Sequence, residues 1–65
     1  VYLGAVMKMY EVQYLNGQDY NPPRWTSWFA HTFDTAEQAL DRRDTVRKNR
    51  TDLQIRAVEV VYVEI

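Results

Sequence analysis

Hydrophobic and polar residues alternate with a period of two along the first part of the chain. Over residues 7–15, Tyr10, Val12 and Tyr14 share one face, and the polar residues between them share the other. This alternation predicts a β-strand with one buried face. Asn16-Gly17 is a typical turn pair, so the strand is expected to end there.

A second strand is predicted after a loop that prolines stiffen. The loop covers residues 18–24 and contains Pro22-Pro23, and strand-forming residues resume over residues 25–33. In such a strand Trp25 and Trp28 lie on opposite faces. We expect Trp25 to fill the core and Trp28 to be available for an interface.

The strongest local signal is the start of a helix. Thr35 and Gln38 have the spacing of a capping box, in which the hydroxyl accepts a backbone N–H and the glutamine reaches back to the cap. A helix over residues 35–48 follows, and Asn49 is expected to stop it in a left-handed conformation. Its inner stripe is thin and consists of Ala36, Ala39, Leu40 and Val46.

Valine and isoleucine dominate residues 53–65, which predicts a third strand. Its two halves are out of phase, because Ile55 and Ala57 share one face whereas Val58 and Val60 share the other. Either a bulge at Ala57-Val58 shifts the phase, or both faces of the second half are covered.

The order strand, strand, helix, strand predicts a single α+β domain over residues 1–65 with ββαβ topology. A right-handed crossover lays the third strand beside the first, which gives a three-stranded antiparallel sheet of order 2-1-3 with the helix packed on one face. The chain offers nothing to cover the other face, although that face also carries apolar and aromatic residues. This mismatch points to a protein partner or a second copy of the chain.

Length and composition narrow the ways in which such a domain can be stabilised. The chain has 65 residues with no cysteine and one histidine, so disulfides are impossible and a zinc site lacks ligands. Homodimerisation is the remaining way to stabilise the domain. The native start is open between Val1, Met7 and Met9, and residues 1–6 are either foreign to the native protein or an extension of the first strand.

Several function classes are disfavoured by the residues present. The net charge is −1 and no apolar run approaches the length of a membrane span, so no membrane partner is expected. His31 is the only candidate general base, and no nucleophile or paired carboxylates stand in a recognisable relation to it. We therefore expect no enzyme activity, no cofactor or metal and no small-molecule substrate.

Two binding functions remain open. The first is protein binding, because tyrosine, tryptophan and arginine are enriched at interface hot spots. Its predicted contact residues are Tyr20, Arg24, Trp28 and Tyr62. The alternative is nucleic-acid binding by a basic cluster at the end of the helix, if its side chains form a continuous patch. The cluster consists of Arg42, Arg43, Arg47, Lys48 and Arg50.

The helix start at residues 33–39, read as F-x-T-x-x-Q-A, and the Val- and Arg-rich strand at residues 53–60 resemble a group of small uncharacterised proteins of bacteriophages and prophages. The resemblance covers roughly residues 25–63 and consists mostly of capping and packing positions. It implies a β-hairpin, a helix and a strand, a location in the cytoplasm of a bacterial host, and an accessory protein that blocks a host factor by occupying it.

Overall fold

The computed structural model describes residues 6–29 and 31–63, with side chains described for residues 7–29 and 31–61. Strand β1 spans Val6–Asn16, β2 Arg24–Ser27 and β3 Ile55–Val63, and helix α1 spans Ala36–Asn49 between β2 and β3. The sheet is antiparallel in both strand pairs and has the order β2-β1-β3. The predicted α+β fold with ββαβ topology and sheet order 2-1-3 is confirmed.

The pairing of β1 with β3 runs without interruption from Val6 opposite Val63 to Tyr14 opposite Ile55. The bulge that would have shifted the phase of β3 is therefore absent from these strands. Val58 and Val60 consequently lie on the face opposite Ile55, and the second half of β3 carries apolar residues on both faces.

Strand β2 is shorter than the sequence predicts. It ends at Ser27. Trp28 still donates its backbone N–H to the carbonyl of Val12 at 2.8 Å. The next pairing with β1 among the described residues is the bridge between Phe33 and Tyr10. The Ser27 hydroxyl donates to the Phe29 carbonyl at 2.6 Å, which bends the chain away from β1. The predicted strand over residues 25–33 is thus interrupted at its middle.

Helix α1 begins after its N-cap Thr35, as the sequence predicts, and ends at Asn49, one residue later than predicted. Thr35 is an extended N-cap, and both hydrogen bonds of the capping box with Gln38 are present. The expected left-handed stop at Asn49 is wrong, since no described non-glycine residue has a positive φ. Asn49 stays helical and donates its side-chain amide to the Thr45 carbonyl at 3.0 Å.

The core lies between α1 and the face of the sheet that carries Val12. Val12, Val46 and Ile55 form its centre, and Ala39 lies almost fully buried beneath the helix. The small alanine side chain lets the helix approach the sheet closely. Ala36 and Leu40 of the predicted inner stripe are exposed instead, and Leu40 keeps 42% of its surface accessible.

Candidate functional site

The sheet has a second face that α1 does not cover, here called the helix-free face. Its members follow from strand register, because directly paired residues of antiparallel strands share a face and neighbours along a strand alternate. The helix-free face consists of Met7, Met9, Glu11, Gln13, Leu15, Trp25, Ser27, Arg56, Val58 and Val60, with Tyr62 joining by register opposite Met7.

A line of interacting polar and aromatic side chains crosses this face. The Gln13 amide donates to the Glu11 carboxylate at 2.6 Å, and Arg56 Nε donates to Gln13 Oε1 at 2.8 Å. The guanidinium carbon of Arg56 lies 4.1 Å from the centre of the Trp25 ring. Such a stack contributes about 0.5–1 kcal/mol at a partly exposed site. These contacts hold Arg56 and Trp25 in one arrangement on the surface of the sheet.

Apolar side chains border this polar line on the side of the β1 start. Met9 pairs with Val60 and Glu11 pairs with Val58, and all four residues are half-buried by their neighbours. Met7 continues the patch with 56% of its surface accessible. An apolar patch rimmed by fixed polar groups is the usual composition of a protein interface.

The four predicted contact residues do not form one site. Arg24 stacks on Tyr20 in the loop, with its guanidinium carbon 5.0 Å from the ring centre, and both side chains are exposed. Tyr62 is paired with Met7, nine residues along β1 from the partner of Arg24, which is a separation of about 30 Å. The Tyr62 side chain lies outside the described side chains.

The two tryptophans lie on the faces opposite to those expected. Trp28 donates its backbone N–H to the Val12 carbonyl and packs against the core cluster. Its ring meets the Tyr14 ring edge-on, with centroids 5.1 Å apart. Trp25 is opposite Leu15 and therefore lies on the helix-free face. Alternation correctly placed the two rings on opposite faces, but only the register against β1 decides which face the helix covers.

The arginines of the basic cluster are each held by a different neighbour. Arg43 forms an ion pair with Asp44 at 3.0 Å, and Arg47 donates two hydrogen bonds to the carbonyl of Ile55. The guanidinium carbon of Arg42 lies 5.3 Å from the Phe29 ring centre. Lys48 is exposed on the last turn of α1. These contacts orient the cations separately and partly neutralise them.

Arg50 completes the cluster with an exposed ion pair. Its guanidinium donates to both carboxylate oxygens of Asp52, at 3.0 and 2.9 Å, and its central carbon lies 5.5 Å from the Trp28 ring centre. The hydrogen bonds from Arg50 hold the pKa of Asp52 below its usual value, and the same bonds raise the pKa of Arg50. A depressed aspartate pKa favours the folded state at neutral pH, and this small contribution is lost as the pH falls through that pKa.

His31 has aromatic neighbours rather than catalytic ones. Its ring lies 5.1 Å from Phe33 and 5.6 Å from Phe29, measured between centroids, and the residue is exposed. Within the described part of the chain, no group of three or more acidic or histidine side chains is placed to hold a metal ion. Over residues 6–29 and 31–63, no helix is long and apolar enough to cross a membrane.

A concave region of about 340 Å³ lies beside the turn after β1. Asn16, only 4% exposed, organises that turn by accepting from the backbone N–H groups of Gln18 and Asp19 and donating to the Asp19 carboxylate. Among the described residues, every buried side-chain polar atom has a hydrogen-bond partner. The region therefore offers an incoming ligand no unsatisfied buried group.

No protein-family model matches this chain, and neither a curated protein nor a solved structure does.

Proposed function

We propose that this domain works by binding another protein through its helix-free face. The observation that carries the proposal is the combination of exposed or half-buried apolar side chains with a polar line whose side chains already hold one another in place. Rigid aromatic and arginine side chains beside an apolar patch lose little conformational entropy on binding. Trp25 and Arg56 are the central contact residues of this proposal.

Charge on the described surfaces favours a protein over a nucleic acid. The helix-free face carries one acid, Glu11, and one base, Arg56, and these are linked through Gln13. At the helix end Arg43 and Arg50 have carboxylate partners. Phosphate backbones are bound by several unpaired cations that release counterions together, so this arrangement suits them poorly.

The resemblance to small phage and prophage proteins supports a biological setting for the proposal. In that setting the domain is a non-enzymatic accessory protein in the cytoplasm of a bacterial cell, and it blocks a host factor by occupying part of its surface. An inhibitor of this kind needs a rigid binding face and no reactive group, which is consistent with the aromatic surroundings of His31.

The test compares capture of bacterial proteins by three immobilised forms of the domain. Wild type and Leu40→Ala, an exposed substitution on the far side of the helix, are expected to retain the same protein from a nuclease-treated extract. Trp25→Ala is expected to lose it, with at least a tenfold weaker Kd once the captured protein is purified. Equal affinity of all three forms would refute the helix-free face as the binding surface.

A second arm of the experiment measures binding to a fluorescent single-stranded and a double-stranded oligonucleotide. We expect no binding even at about 50 mM salt, where phosphate contacts are stronger than at physiological salt. Salt-dependent binding that Arg42→Ala and Lys48→Ala weaken would instead favour the nucleic-acid function.

A further inference from the structure

The outer edge of β3 presents unpaired backbone groups. Leu15 donates its N–H to the Gln54 carbonyl at 3.0 Å, which fixes the hydrogen-bonding phase of the β1–β3 pair. Backbone groups of even-numbered β3 residues therefore point toward β1, and those of odd-numbered residues point outward. The outward-facing residues are Ile55, Ala57, Glu59, Val61 and Val63.

Only one end of this edge is protected. Arg47 donates from Nε and Nη2 to the Ile55 carbonyl at 3.2 and 2.7 Å, so the helix caps that group. No hydrogen bond among the described residues reaches the outward groups from Ala57 to Val63. Natural sheets protect long apolar edges with bulges, prolines or charges, and here Glu59 is the single charge among the outward-facing residues.

We propose that the outer edge of β3 pairs antiparallel with the same edge of a second copy of this chain, with Val60 opposite Val60. The two three-stranded sheets then form one continuous sheet. Within residues 6–16, the other open edge, on the β2 side of β1, offers only Val6 and Lys8 before Phe33 pairs with Tyr10, which is a shorter stretch than the β3 edge.

Charge and hydrogen bonding select this register. A two-fold axis perpendicular to the sheet places one residue opposite its own copy. Centring on Arg56 or Glu59 opposes like charges, which destabilises a cross-strand pair. Centring on Ala57 or Val58 requires the Ile55 backbone that Arg47 occupies. Centring on Val61 leaves Ala57 without a partner among the described residues. Centring on Val60 pairs every outward group from Ala57 to Val63 and leaves the Arg47 cap intact.

The same axis keeps both helices on one side of the joined sheet and merges the two helix-free faces on the other. Met9 and Val60 of each copy then lie near the centre of the merged face. The pairing uses backbone groups, whereas the proposed partner binding uses the Trp25 and Arg56 side chains. Loss of one function therefore leaves the other measurable.

Single cysteines test the register directly, because the native chain has no cysteine. Val60→Cys places two thiols at a non-hydrogen-bonded pair, where Cβ atoms lie about 4.5–5.5 Å apart and a small adjustment allows a disulfide. In Val58→Cys, on the same face, the two cysteines are offset by about 13 Å. We expect Val60→Cys to form a covalent dimer under mild oxidation at least tenfold faster than Val58→Cys. Equal rates, or a faster Val58→Cys, would overturn the register.

A proline substitution tests the edge itself. Glu59→Pro removes an outward N–H and leaves the hydrogen bonds with β1, so the fold is expected to survive, as far-UV circular dichroism would show. Light scattering should give the mass of one chain for Glu59→Pro and of two chains for wild type and Glu59→Ala. A monomeric wild type across the accessible concentration range would refute the proposal. If Glu59→Pro does not fold, the two cysteine variants still decide.

Discussion

Replacing Trp28 with alanine tests most sharply whether this residue packs in the core, as the structure has it, or serves an interface, as the sequence predicts. Trp28 packs against the core cluster, donates its backbone N–H to Val12, and meets the Tyr14 ring edge-on. The substitution removes an indole from the space between the sheet and the end of α1. It leaves every side chain of the helix-free face in place.

The expected loss of stability follows from burial and ring contact. A fully buried tryptophan costs about 3–5 kcal/mol when truncated to alanine, and the half-buried Trp28 should cost about 2 kcal/mol. The edge-on contact with Tyr14 adds about 1 kcal/mol. The total of about 3 kcal/mol is a large part of the roughly 3–10 kcal/mol expected for a domain of this size.

Trp25→Ala is the matched control, since it deletes the same ring on the other face. It loses the stack with Arg56, about 0.5–1 kcal/mol, and no core contact. Urea unfolding followed by far-UV circular dichroism measures both variants without relying on tryptophan fluorescence. In thermal unfolding followed by the same signal, melting temperatures should fall by about 12–24 °C for Trp28→Ala and by less than about 8 °C for Trp25→Ala.

The proposed dimer would add to apparent stability, so each variant must be compared at several protein concentrations. Equal losses for the two variants, or a larger loss for Trp25→Ala, would refute the assignment of Trp28 to the core. A stable Trp28→Ala domain that fails to bind its partner would restore the interface role predicted from the sequence.

Two further substitutions test local features of the fold. Asn16→Asp replaces an amide that donates to Asp19 with a second carboxylate, and it should cost about 1–3 kcal/mol at pH 7. Its deficit in urea unfolding should shrink as the pH falls toward about 4, because protonation of the introduced carboxylate removes its negative charge. A deficit that does not change with pH would contradict this reason. Thr35→Ala removes the N-cap and should lower the free energy of unfolding by about 1 kcal/mol. Thr45→Ala, on the exposed helix surface, should change it by less than about 0.5 kcal/mol in the same assay. Equal effects of the two threonine substitutions would rule out a special role for the cap.

Short-range chemistry in the sequence was enough to predict the elements and their order. The capping box of Thr35 and Gln38 is purely local, and the structure has it as predicted. The sheet order followed from the number of strands and the handedness of the crossover. The sequence leaves two explanations for the phase of β3, and the unbroken register eliminates the bulge.

The side-chain roles depended on long-range register, which local patterns do not encode. The register of β2 against β1 places Trp28 opposite Val12, and no pattern within residues 25–33 predicts it. Leu40 is apolar at a helical spacing but turns outward, because Ala39 already occupies the close contact with the sheet. The stack of Arg56 on Trp25 depends on two strand pairings across β1, which no local pattern predicts.

The most specific claim is that a second copy of this chain extends the open sheet at β3, and amide hydrogen exchange along β3 tests it most directly. The amides of Val58 and Val60 point toward β1 and serve as protected controls at every concentration. We predict that the amides of Ala57, Glu59 and Val61 are protected at high protein concentration and exchange rapidly on dilution. Rapid exchange of these three amides at all concentrations, beside protected controls, would contradict the account.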